Sequence, residues 1–257
     1  MKQILLTSIA LTLTIAAFGQ MDSGFTSKAE AQNLMVNGHE EGKWLKYYDG
    51  GGQPTKDTAH SNYRLEVYKK GRLNGVFREY YHNGALALIA PYTNNEKNGL
   101  VKAYFRTGKP IYQATYIDGV LNGVYTTYHS NGNVEKETPY TDEMRSGTEK
   151  EYTEGGKLKT ECPYENDKKN GIQKEYYESG KLKMKTTYIK GDASDTAREY
   201  FETGQLESET PYDNGKMNGD KTEYYLDGRR HITTVYMDDE IKLTTIYDEK
   251  GDEIESK

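Results

Sequence analysis

Residues 75–98 read GVFREYYHNGALALIAPYTNNEKN, and the pattern returns in the same register every 24 residues. Working outward from it, one tyrosine column runs Tyr80, Tyr104, Tyr128, Tyr152, Tyr176, Tyr200 and Tyr224. A second runs Tyr92, Tyr116, Tyr140, Tyr164, Tyr188, Tyr212 and Tyr236. Glycines recur at Gly84, Gly108, Gly132, Gly156, Gly180, Gly204 and Gly228. Another glycine column, Gly75, Gly99, Gly123, Gly147, Gly171 and Gly219, is broken only by Asp195. Columns held in one register without insertion mark an array of small units, each of which buries its apolar face by stacking on its neighbours.

Within a unit, two segments rich in β-formers and aromatics flank the turn at Asn83-Gly84, which predicts a β-hairpin. The fold class expected is therefore all-β: an elongated, single-layer antiparallel sheet of about eight 24-residue hairpins. Before the hairpin glycine stand Asn83, Thr107, Asn131, Gly155, Ser179, Thr203 and Asp227. Thr107 and Thr203 are β-branched and resist positive φ. A type I turn with glycine in the left-handed region and a G1 bulge therefore suits all units better than a type I′ turn. The connections between hairpins (TNNEKN, IDGVLN, TDEMRS and their equivalents) read as polar surface loops. Stacking like on like would lay Tyr80 over Tyr104. Arg78, Lys102, Lys150, Lys174 and Arg198 form one charge ladder, and Glu79, Glu151, Glu175, Glu199 and Glu223 form another. Neighbouring slots point to opposite faces, so the ladders lie on opposite faces, either as solvated surface or as steering fields.

The ends and the composition set the class. The chain has 257 residues, 24 of them tyrosine, and a formal charge of -6. Such an acidic balance lacks the basic stripe that nucleic acid requires. Lys2, the apolar run from Ile4 to Phe18, and the small residues Ala17 and Gly19 read as a secretory signal cut before Gln20. The domain division expected is a signal peptide at 1–19, a polar leader at 20–36 and the repeat array at 37–257. Localisation follows as exported: periplasmic, cell-surface or extracellular.

Reactive residues are judged against their copies. Cys162 stands in a slot held elsewhere by Ala90, Ala114, Thr138, Thr186, Thr210 and Thr234, so the slot asks for a small side chain. The histidines lack metal-ligand spacing, and the glycines are turn residues with no nucleotide-loop pattern. No catalytic residue, metal ligand or cofactor is expected, and the chain reads as a non-enzyme. The irregular place is the first unit. It carries Trp44 and Tyr47 and about nine extra residues near 52–62. Those features suit either a binding site or an elongated hairpin capping an exposed sheet end. The candidate binding residues are Trp44, Tyr47, Tyr80, Tyr104, Tyr128, Tyr152, Tyr176, Tyr200 and Tyr224.

The segments GKWLKYYDGG at 42–51 and GVFREYYHNGAL at 75–86 resemble the MORN repeat, most closely the bacterial variant of the YwqK-like antitoxin family. The resemblance covers about residues 38–251. It implies a β-hairpin ribbon that serves as a scaffold, a dimerisation surface or a membrane-proximal platform, and it links the chain to toxin neutralisation. An export signal fits poorly with neutralising a cytosolic toxin. The function expected is an exported scaffold that binds a protein or cell-envelope partner through a tyrosine-rich face, with contact to a membrane surface left open. An antitoxin or immunity role and a cell-wall glycan-binding or degrading role are the alternatives.

Overall fold

The structure is a computed structural model and describes residues 25–257. The signal-peptide reading falls on residues outside that range. Among the described residues, 25 strands form one antiparallel sheet, and a single 3₁₀ turn, Lys28–Glu30, precedes it. In a typical unit, Gly75–Tyr80 pairs with Leu86–Thr93. Leu86–Thr93 then pairs with Gly99–Tyr104 of the next unit.

The turn inside each unit is the one the threonines require. Gly84 takes φ 85 while Asn83 keeps negative φ. The Tyr81 amide donates to Ala85 O and the Gly84 amide to Tyr81 O, and the register shifts between Glu79 and Tyr80. The connections between units are tighter than loops. Asn94-Asn95, Asp142-Glu143 and Asn214-Gly215 all take positive φ at both residues, closing two-residue hairpins of the type I′ kind. The second glycine column has a separate cause. Gly99 sits at φ 125, and a Cβ there would lie 2.6 Å from Pro91 Cγ. Where Asp195 replaces this glycine, φ falls to 65. The strand Asp192–Tyr200 then runs unbroken, whereas elsewhere a two-residue strand precedes the glycine.

Both long margins of the ribbon are stitched from unit to unit. On one, turn amides reach the preceding unit: Asn95 donates to Leu73 O, Asp167 to Arg145 O and Asp239 to Met217 O. On the other, the Tyr81 hydroxyl donates to Tyr104 O and the Tyr177 hydroxyl to Tyr200 O. The N-terminal edge is capped as well. In the strand His39–Tyr48, Lys43 O accepts the amides of Gln32 and Asn33, and Tyr47 O accepts that of Thr55. The Leu45 amide donates to Asn33 Oδ1, and Tyr48 bridges to Pro54. The extra residues of the first unit therefore cover strand groups that would otherwise invite another strand.

Two expectations about the faces need correction. None of the observed ring pairs joins two tyrosines of one column. Identical slots lie two strands apart, about 10 Å, too far for ring contact. Rings meet slots on the intervening strand instead: Tyr63 stacks on Tyr80 at 4.7 Å and Tyr112 on Tyr125 at 5.4 Å. The charge ladders do lie on opposite faces, but neither is a field of one sign. Lys174 pairs with Glu161 and Arg198 with Glu209 on one face. Glu79 pairs with Arg64 and Glu151 with Lys136 on the other.

Candidate functional site

The first face carries the column from Tyr80 to Tyr224. These rings are half-buried, and three of them are held by carboxylates on the intervening strand. Tyr152 donates to Glu137 at 2.8 Å, Tyr176 to Glu161 at 2.8 Å and Tyr224 to Glu209 at 3.2 Å. Burial, and then the adjacent carboxylate, push the Tyr152 and Tyr176 phenols up to about 12, so both remain donors at neutral pH. The Lys174 and Tyr176 hydrogen bonds in turn hold Glu161 below the usual carboxylate range. Around Tyr176 and Tyr224 the element is thus a tyrosine, a glutamate and a basic residue, neutralised within itself; Leu65, Ile89, Gln113 and Lys185 take the glutamate's slot in other units.

At the first unit this face is already occupied. Phe25 is fully buried, as is Leu65 on the sheet, and Phe25 O accepts Arg78 Nη1 at 2.9 Å. The Lys28 ammonium lies 3.8 Å from the Tyr63 ring centroid and 5.2 Å from that of Tyr47. Lys43 pairs with Glu30 at 2.6 Å. A capping box at Ser27 and Glu30 holds the short turn. Residues 25–33, part of the polar leader read from sequence, therefore lie along the face as a peptide.

The structure brings Tyr47 and the column from Tyr80 to Tyr224 to one face and places Trp44 on the other. Trp44 and Tyr47 are three residues apart in a regular strand, where alternation separates them. Trp44 packs edge-on to Tyr68 with centroids 6.3 Å apart, and its indole N–H donates to Glu41 O. Beside it Lys46 contacts Glu40 at 2.8 Å, Glu66 at 3.1 Å and the Tyr68 hydroxyl at 2.9 Å. Against the cost of burial, those partners raise the ammonium above its ordinary value. This second face also carries the column from Tyr92 to Tyr236 over a floor of small residues: Ala90, Ala114, Thr138, Cys162, Thr186 and Thr234 are buried. Burial pushes the Cys162 thiol up, the opposite of an activated thiolate. Among the described residues no group of three or more His, Cys, Asp or Glu side chains converges on a metal-sized site.

Sequence reasoning missed two features here. The N-terminal peptide gives no periodic signal, although Ser27-x-x-Glu30 is a legible capping box. The second face has a hollow of about 360 Å³ between Tyr188 and Tyr212, with Ala193, Ala197 and Glu199 in its lining. It was visible only as two alanines in slots that hold larger side chains in other units.

A family model described as the MORN repeat variant matches residues 73–94, 97–118, 121–142, 145–166, 169–190 and 196–214, half of the chain. Comparison with curated proteins gives no match. Among solved structures, one described as TcdB2-TccC3-Cdc42 aligns at 16% identity and a TM-score of 0.22, covering 78% of this chain and 14% of that one. Another, described as TcdB2-TccC3, aligns at 14% identity and 0.22 over the same shares.

Proposed function

Because the chain belongs to the MORN repeat variant family, with matched units over half of its length, we propose that it is a non-enzymatic scaffold whose first face binds an extended segment of a protein or cell-envelope partner. The observation that carries this reading is the peptide already in place. Residues 25–33 bury an aromatic ring, set a lysine over paired tyrosines and accept a hydrogen bond from Arg78 on that face. Later units repeat its tyrosines and basic residues. Binding distributed over such rings gains from large contact area at low side-chain entropy.

The scaffold is proposed to work outside the cytoplasm, on the strength of the N-terminal signal. A mature N-terminus at Gln20, read by N-terminal sequencing of protein from the envelope fraction, tests this, and uncleaved cytosolic protein refutes it. The face is tested with a partner captured from that fraction and then purified. The double change Tyr128→Ala/Tyr152→Ala is expected to weaken binding at least tenfold while circular dichroism stays sheet-like. Cys162→Ser on the second face is expected to leave binding unchanged. Equal binding by all three proteins would remove the first face from the reading. A toxin domain, the class implied by the YwqK-like resemblance, and a cell-wall glycan are the competing occupants, and the chemical identity of the captured partner separates them.

A further inference from the structure

On the second face, the tyrosine column is covered by the array's own side chains as far as Tyr188, and the coverage fails at Tyr212 and Tyr236. The residue 19 positions before each tyrosine stands over its ring wherever it is basic. Lys97 lies 4.8 Å from the Tyr116 centroid, Arg145 4.1 Å from Tyr164 and Lys169 4.6 Å from Tyr188. Tyr68 is covered by Lys46 at 4.6 Å. Tyr92 and Tyr140 instead take the ring edges of Phe77 and Tyr125. At Tyr212 the corresponding residue is Ala193, and Tyr212 has neither a cation nor a ring against it among the described residues. Tyr236, which follows Met217 in this spacing, is the other uncovered member.

The hollow lies where Ala193 leaves Tyr212 bare. Its walls are Tyr188 and Tyr212, Thr186 and Thr210 floor it, and Ala197 widens it. Glu199 lines the hollow through a neighbouring pocket as well. The glutamates of its ladder elsewhere have partners: Glu79 with Arg64, Glu151 with Lys136, Glu175 with Gln173 and Glu223 with Lys221. Glu199 has neither an ion pair nor a hydrogen bond among the described residues. Lys221 also lines the hollow and its charge acts on both Tyr212 and Glu199, but its contact partner is Glu223, 2.7 Å away, and it makes no direct ion pair with Glu199.

We propose that this hollow is a binding site for a lysine or arginine side chain carried by an extended basic segment of a partner protein. The array shows the fit in its own contacts: in three earlier units a lysine or arginine 19 positions before the tyrosine stands over its ring, and here the ring remains while that position holds Ala193. A cation over a tyrosine face, with a carboxylate free to pair, is attracted by both ring quadrupole and charge. The proposal concerns the face opposite the column proposed above as the partner surface, so either can fail alone.

The test uses fluorescein-labelled hexalysine and fluorescence anisotropy with the full chain. Ala193→Lys restores the internal cation, in a slot where Lys169 is already accommodated, and is expected to weaken binding at least tenfold. Glu199→Gln is expected to weaken it severalfold. Thr203→Lys, which makes the same charge change in an exposed turn, is expected to bind as the unaltered chain does, and hexa-(Nε-acetyl-lysine) is expected not to bind. The proposal is overturned if the unaltered chain fails to bind hexalysine at millimolar peptide, or if Ala193→Lys binds equally well. It is also overturned if Thr203→Lys weakens binding as much as Ala193→Lys, because the attraction would then be to net charge alone.

Discussion

Replacing two glycines of different columns by alanine separates backbone strain from steric contact. Gly108 takes φ 82, and a Cβ there meets nothing within 4 Å. Alanine at this position pays only for the left-handed conformation, about 1–2 kcal/mol. Gly99 takes φ 125, and its Cβ would stand 2.6 Å from Pro91 Cγ, on a ring with no freedom to swing away. Overpacking adds roughly 1–3 kcal/mol, so Gly99→Ala is expected to cost about 2–5 kcal/mol in total. Pro91→Ala removes the obstructing atom. The double variant Gly99→Ala/Pro91→Ala should therefore recover the contact part, with a coupling of order 1–2 kcal/mol. Urea unfolding followed by circular dichroism gives the global values. Hydrogen exchange of peptides spanning residues 88–104 locates the loss, which matters because arrays need not unfold in two states. Equal costs for Gly99→Ala and Gly108→Ala, or the absence of coupling to Pro91, would refute the close-approach account of the second glycine column.

Three further outcomes are expected. Glu161 has a folded pKa below its unfolded one, so its contribution is present above the unfolded value and is lost as pH falls through the folded value. The stability gap between the native chain and Glu161→Gln at pH 7 should close in acid, and a pH-independent gap would contradict the Lys174–Glu161–Tyr176 arrangement. Cys162 should react slowly with a thiol reagent in the folded chain and rapidly in urea, and Cys162→Thr should change stability by less than about 1 kcal/mol, since Thr138 and Thr186 occupy the same buried slot. Deleting residues 123–146, one whole period, should leave a shorter sheet, whereas deleting 12 residues from the same place sets unlike slots together. Equal losses of sheet signal from the two deletions would speak against the register.

The hairpin array was legible because glycine and tyrosine recur where the backbone demands them, and the G1 bulge followed from Thr107 and Thr203 alone. The inter-unit turns were less legible. Asp118-Gly119 and Asn214-Gly215 carry type I′ signals, but Asp142-Glu143 and Asn166-Asp167 take the same positive φ without glycine, held by stitching to the preceding unit. Side-chain pairing was misread where a one-dimensional alignment stood in for a sheet. Tyr80 and Tyr104 align in sequence, yet a full strand separates them. The face assignment of Trp44 could have been made from strand parity against Tyr47. The docking of residues 25–33 could not, because an aperiodic segment finds its place only through shape, as Phe25 does beside Leu65.

The hydrogen-bond accounting also limits how a partner can approach. Strand addition at the N-terminal edge would have to displace Gln32, Asn33 and Thr55 from Lys43, Leu45 and Tyr47, each of which already has its backbone bond. The two long margins are tied from unit to unit by turn amides and tyrosine hydroxyls. Recognition at those places would exchange one satisfied bond for another, with little net gain. The faces differ, because each leaves ring surface that water covers poorly. On the first face a tyrosine recurs in every unit, and the chain's own peptide shows how such rings are covered at the first. On the second face, internal cations and ring edges cover the tyrosines until Ala193 interrupts the series. Selectivity on such a sheet therefore comes from departures from the repeat, since a uniform array offers every unit the same contact, and only a missing side chain tells a ligand where along the ribbon to stop.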